Sequence, residues 1–79
     1  METTLTLKYN RETDVLYIDT RPPYAGQTSR RLGEQVVVRL NPTNGVIENL
    51  EIPLFFTRLL ERDSIELPLA IDFRWSRNP

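Results

Sequence analysis

The side chains that carry most nucleophilic, acid–base and zinc chemistry, histidine and cysteine, do not occur in this 79-residue chain. General acid–base work is therefore left to the carboxylates, to Tyr9, Tyr17 and Tyr24, and to Lys8. Paired carboxylates can run a glycosidase or hold a hard cation. Here Asp14 and Asp19 flank one predicted strand, and Glu48 and Glu51 fall on opposite faces of another. Neither pair has the spacing of a cation-binding loop, and carboxylates at strand ends are ordinary turn and surface residues. Gly26, Gly33 and Gly45 stand alone, without the glycine-rich pattern that cradles phosphate. The expectation is a protein that is not an enzyme, with no catalytic residue, no cofactor and no metal.

Arginine offers a different chemistry. Lys8 is the only lysine among 10 basic residues, and guanidinium groups favour bidentate pairing, aromatic stacking and interfaces. The best nucleic-acid signal is Arg74, Trp75 and Arg77, an aromatic between two cations, followed by the adjacent Arg30 and Arg31. Against it stand a net charge of −1 and the scatter of the remaining arginines. Trp75 also continues an apolar alternation, which burial explains without any ligand. Nucleic-acid binding is thus the second expectation, behind protein interaction.

These residues need elements to position them. Residues 4–9 alternate, placing Leu5, Leu7 and Tyr9 on one face of a strand. A polar turn leads to a second strand over residues 14–20, completing a hairpin. Residues 21–29 hold Pro22, Pro23 and Gly26 and read as a surface loop. A third strand over residues 34–40 and a fourth over 46–52 are joined through Pro42, Asn44 and Gly45, a second hairpin. Pro53 suits the first turn of a helix. Phe55/Leu59 and Phe56/Leu60 then sit four apart, on one face, until Asp63 and Ser64 end the element.

From Ile65 every odd position is apolar: Leu67, Leu69, Ile71, Phe73 and Trp75 follow. The alternation predicts a C-terminal strand over residues 65–75, and Pro68 confines it to a sheet edge, where it can pair with another chain. Phe55, Phe56, Leu59 and Leu60 compete with that stripe for one sheet surface, while Val37 and Ile47 point to the other face. The surplus predicts a cover, and a second copy is the commonest one. The expected interface comprises Leu67, Leu69, Ile71, Phe73 and Trp75 with Phe55 and Phe56. The expected partners are a second copy, as a homodimer or higher homo-oligomer, and a further protein.

In sum, composition and pattern predict one small α+β domain over residues 1–79: a small antiparallel β-sheet of two hairpins, one short helix and a C-terminal edge strand. No basic and apolar leader and no run of 18 apolar residues is present, so neither export nor membrane insertion is expected. A chain this small without disulfide staples is expected in the cytoplasm.

Two stretches carry a resemblance. Tyr9-Asn-Arg-Glu-Thr-Asp14-Val-Leu-Tyr-Ile18, and then Gly33 to Asn41 leading through Gly45 to Ile52, resemble the domain-of-unknown-function 2283 family of small bacterial proteins. That family has an N-terminal Tyr-Asp-x-x-x-Asp-x-Leu-Tyr-Ile hairpin and a later Gly-x-Val-Val-Gly-Ile-Glu-Ile strand. This chain departs in Asn10, where aspartate is usual, in Asn49, where glycine is usual, and in its extension over residues 53–79. The resemblance spans residues 5–52. It implies a compact β-rich fold and a bacterial cytoplasmic setting, carries no activity or catalytic residue with it, and suggests an antitoxin-like role among the partners to consider.

Overall fold

A computed structural model describes residues 4–33 and 35–70. β1 (Thr6–Asn10), β2 (Val15–Asp19), β3 (Thr28–Leu32), β4 (Val36–Leu40) and β5 (Ile47–Pro53) precede one helix, α1 (Phe55–Arg62). The strands form a single antiparallel sheet in the order β1-β2-β5-β4-β3. The fold is therefore α+β, as expected.

β1 pairs with β2 and β4 with β5, and the turns that join them are built from side chains in the sequence positions that demand them. Asn10 Oδ1 accepts from the backbone N–H groups of Glu12 and Thr13, at 2.9 and 3.2 Å. Asn41 Oδ1 does the same for Thr43 and Asn44, and Gly45 closes that loop at φ 75°. Each is an Asx turn, in which a short side chain substitutes for a backbone acceptor.

One strand was not predicted: it takes the last two residues of the expected loop and three beyond it. Residues 28–32 pair with β4 along their whole length, forming a third hairpin through Gly33 at φ 60°. The sequence Thr-Ser-Arg-Arg-Leu has no apolar alternation because β3 lies at a sheet edge and is largely exposed. Its strand character comes from its partner rather than from its own side chains.

The core is one face of this sheet. Val36, Val38, Leu50 and Ile52 are buried, each contributing about 1.5–3 kcal/mol by leaving water. Leu16, Ile18, Leu32, Leu40, Ile47, Phe55, Ile65, Leu67 and Leu69 pack around them. Ile47 was expected on the other face, and a β-bulge brings it in. Arg39 pairs with Asn49 but Leu40 with Ile47, so Glu48 is an extra residue in β5 and the alternation reverses across it.

Pro53 closes β5 opposite Val15 instead of opening the helix. The helix is entered through Leu54 in the left-handed region, φ 52°, with no capping side chain of its own. Asp14, from the β1–β2 turn, supplies the cap. Its carboxylate accepts from Phe56 N–H at 2.9 Å, Thr57 N–H at 3.3 Å and the Thr57 hydroxyl at 2.7 Å, while its carbonyl accepts from Phe55 N–H at 3.0 Å. Tyr9 donates its hydroxyl to the same carboxylate at 2.7 Å. These donors, the Thr57 hydroxyl first and Tyr9 next, hold the Asp14 carboxyl down at about 2. The resulting stability is full above the unfolded carboxylate range near pH ~4 and is lost as pH falls through about 2. Asp14→Asn keeps the shape and tolerates positive φ, so its thermal midpoint is expected several degrees below that of the unaltered protein at neutral pH, the two converging in strong acid. A gap that stays constant with pH would contradict the charge-based cap.

Beyond the helix, burial alternates as predicted: Ile65, Leu67 and Leu69 are half-buried, and Glu66, Pro68 and Ala70 are exposed. No strand forms over residues 65–70. Leu69 N–H donates to Leu67 O at 2.8 Å, a three-residue turn centred on Pro68, whose fixed φ and missing N–H suit it. The alternation reports a segment pressed onto the core without a ladder. Ile71, Phe73 and Trp75, with Arg74 and Arg77, lie outside the described residues.

Candidate interaction surface

The two faces of the sheet differ in chemistry. Residues opposite one another share a face, so the register assigns Leu7 and Tyr9 of β1 to the side of Ile18, Leu16, Leu50 and Ile52. That is the side on which α1 packs, the Phe55 ring lying 5.9 Å from that of Tyr9. Yet the cover reaches this edge of the sheet at Tyr9 and leaves its earlier residues open. Leu5 is 51 % exposed and Leu7 59 %.

The helix exposes apolar residues of its own. Phe55 and Leu59 turn toward the sheet and are half-buried, whereas Phe56 is 54 % and Leu60 70 % exposed. The two pairs predicted to share one face are in fact split, because adjacent residues on a helix point about 100° apart. Of the predicted interface, Phe55, Leu67 and Leu69 pack against this chain's own core, and Phe56 faces outward. A charge introduced at Leu69 would therefore injure the fold itself.

The opposite face carries Lys8, Tyr17, Arg31, Val37, Arg39 and Glu51 by the same register. Arg39 is engaged, donating to the Glu51 carboxylate and to Ser29 Oγ. Arg30 pairs with the buried Val38 and so shares the core-side face, while Arg31 pairs with Val37 on the other. The adjacent arginines are separated by the pleat and do not form one cationic patch.

At the end of this sheet the bulge builds a dense polar cluster that sequence reasoning missed. Asn49, 2 % exposed, donates to Asp19 Oδ1 at 2.8 Å and to Arg21 O at 2.7 Å, and accepts from Gln27 Nε2 at 2.7 Å. Glu48 accepts from Gln27 at 2.9 Å, from the Tyr24 hydroxyl at 2.8 Å and from Asn41 at 3.3 Å. The Gln27 bond first, with Tyr24, Asn41 and Arg21 adding to it, lowers the Glu48 pKa; the Glu48 bond raises that of Tyr24. Arg21 lies over the Tyr24 ring, 4.4 Å from its centre. The cluster pins residues 20–27 to the sheet, and every one of these groups already has its partner. Asn49 could have been flagged beforehand as the polar residue interrupting an apolar strand; its partners, more than twenty residues away, could not.

The carboxylates singled out from the sequence have structural partners. Asp14 caps a helix, Glu48 clamps a loop and Glu51 pairs with Arg39. Among the described residues no three carboxylates converge on a cation position. A depression of about 770 Å³ beside the helix end is lined by Arg58, Arg62, Glu61 and Glu66, of both signs. Arg58 there is occupied by the carbonyls of Gln35 and Pro53, at 2.8 and 3.0 Å. No helix among the described residues is long and apolar enough to cross a membrane. Comparison with family models, with curated proteins and with solved structures finds no match.

Proposed function

We propose that this protein is a non-catalytic, cytoplasmic interaction module that self-associates and engages a protein partner through the helix side of its sheet. The observation that carries this reading is the apolar surface left exposed there: Leu7 on β1, Leu5 just before it, and Phe56 and Leu60 on α1, each more than half exposed. Exposed apolar groups gathered on one side of a small domain favour a protein contact over open water. The absence of histidine and cysteine, together with the structural employment of Asp14, Glu48 and Glu51, supports the non-catalytic part. The resemblance of residues 5–52 to the domain-of-unknown-function 2283 family belongs to the same proposal, as does an antitoxin-like partnership. Its motif residues Tyr9 and Asp14 share a hydrogen bond that orders the helix entry.

Nucleic-acid binding by Arg30, Arg31, Arg74, Trp75 and Arg77 is the second reading, and the opposed faces of Arg30 and Arg31 favour it less. The test pairs surface charges on the two sides. Phe56→Glu and Leu60→Glu are expected to retain native circular dichroism but to lose self-association and partner capture, whereas Arg31→Glu leaves both intact. Undiminished association in the first two variants would overturn the proposal. Retention of an oligonucleotide that weakens steeply with salt, and is lost in Arg31→Glu, would favour the second reading.

A further inference from the structure

Resting on the self-association proposed above, we infer that the second copy docks along β1, strand to strand and antiparallel, about a two-fold axis at Leu7. Among the described residues the sheet has two edges, β1 and β3, each paired on one side only. An unpaired edge offers a row of backbone donors and acceptors to another strand unless charge guards it. β3 is guarded: Arg30 and Arg31 occupy its centre, so any symmetric self-pairing there sets arginine against or diagonal to arginine. β1 carries a single charge, Lys8, on the face away from the helix.

The register follows from parity, charge and the pairing of all three apolar residues, Leu5, Leu7 and Tyr9, with one another. An axis between two residues would place Leu7 opposite Lys8 of the second copy, merging the apolar face of one sheet with the polar face of the other. The axis must therefore pass through a residue. At Lys8 it would oppose two like charges directly. At Leu7 it places Leu7 against Leu7, Leu5 against Tyr9 and Lys8 against Thr6, so all three apolar residues meet apolar residues and the single lysine of each copy stands diagonal to its mate rather than directly opposed to it. The two five-stranded sheets then become one continuous sheet with both helices on the same side. The exposed Leu5 and Leu7 of each copy form the floor between them, with Phe56 and Leu60 available on the flanking helices.

The lack of cysteine makes the test clean, because a single introduced thiol has only its symmetry mate to meet. Directly opposed residues in an antiparallel pair stand about 4.5–5.5 Å apart at Cα, within disulfide range, whereas a two-residue offset gives about 7–8 Å, beyond it. Under mild oxidation Leu7→Cys is expected to convert almost wholly to a covalent dimer with native circular dichroism, and Lys8→Cys hardly at all. Leu7 is exposed enough for its replacement to leave the fold intact. The reverse pattern would overturn the Leu7 register. A dimer by sedimentation in which neither variant cross-links would overturn β1 docking while leaving self-association standing. A monomer by sedimentation would remove both.

Discussion

Replacing Asn49 with alanine is expected to destabilise the protein by roughly 2–4 kcal/mol, a large share of what a chain this size holds. The amide is buried and makes three hydrogen bonds, to Asp19, to the carbonyl of Arg21 and from Gln27. Its removal leaves a carboxylate, a carbonyl and an amide facing a void at the end of β5. An unpaired buried polar group costs more than a hydrogen bond returns, which is why the loss exceeds the net worth of the bonds. The thermal midpoint should fall by roughly 10–20 °C, and hydrogen exchange should quicken first in residues 20–27. Asn49→Asp places a second carboxylate beside Asp19 and should be at least as damaging. A midpoint within a degree or two of the unaltered protein would mean that the cluster does not hold the loop.

Ile52→Ala is expected to cost about 2–5 kcal/mol, the range for emptying a packed aliphatic site. Ile52 is 4 % exposed, on the strand at the centre of the sheet, directly opposite Leu16 of β2. Five strands and one short helix cannot collapse easily into the gap, because the neighbouring strand spacing is set by backbone hydrogen bonds. With about 0.05–0.15 kcal/mol per residue available to a small domain, this one truncation can unfold a sizeable fraction of molecules at physiological temperature. Leu60→Ala is the natural comparison. At 70 % exposure it should change stability by no more than about 0.5 kcal/mol, and equal losses at the two positions would put the core in the wrong place.

Much of this architecture could be read from residue order. Alternation located β1, β-branched and aromatic content β2, and the turn at Pro42, Asn44 and Gly45 the pair β4 and β5, while the side chains of Asn10 and Asn41 mark the turns between them. What could not be read depends on partners far along the chain. β3 has no apolar periodicity, since an edge strand of Thr28, Ser29, Arg30 and Arg31 is held by its ladder to β4. The bulge at Glu48 reverses which residues face the core, and a single extra residue leaves no compositional trace. The helix cap comes from Asp14, some forty residues before the helix it caps.

The candidate surface was legible only in part. The surplus of apolar residues pointed to a partner, but Leu67 and Leu69 of the C-terminal stripe serve the chain's own core. Pro68 turns that segment where uninterrupted alternation suggested a strand. The large exposed apolar residues instead include Leu5, Leu7, Phe56 and Leu60, whose spacing looks the same whether they are buried or not. Asn10 and Asn49 also have clear physical roles. Asn10 makes its turn with a neutral oxygen where aspartate would offer a charged one, and Asn49 is the hub of the polar cluster.

Sedimentation velocity of the unaltered protein from nanomolar to micromolar concentration tests self-association most directly. A reversible dimer that dissociates on dilution, and that Leu60→Glu shifts toward monomer at equal concentration, is the predicted result. A species that stays monomeric throughout the range would contradict it.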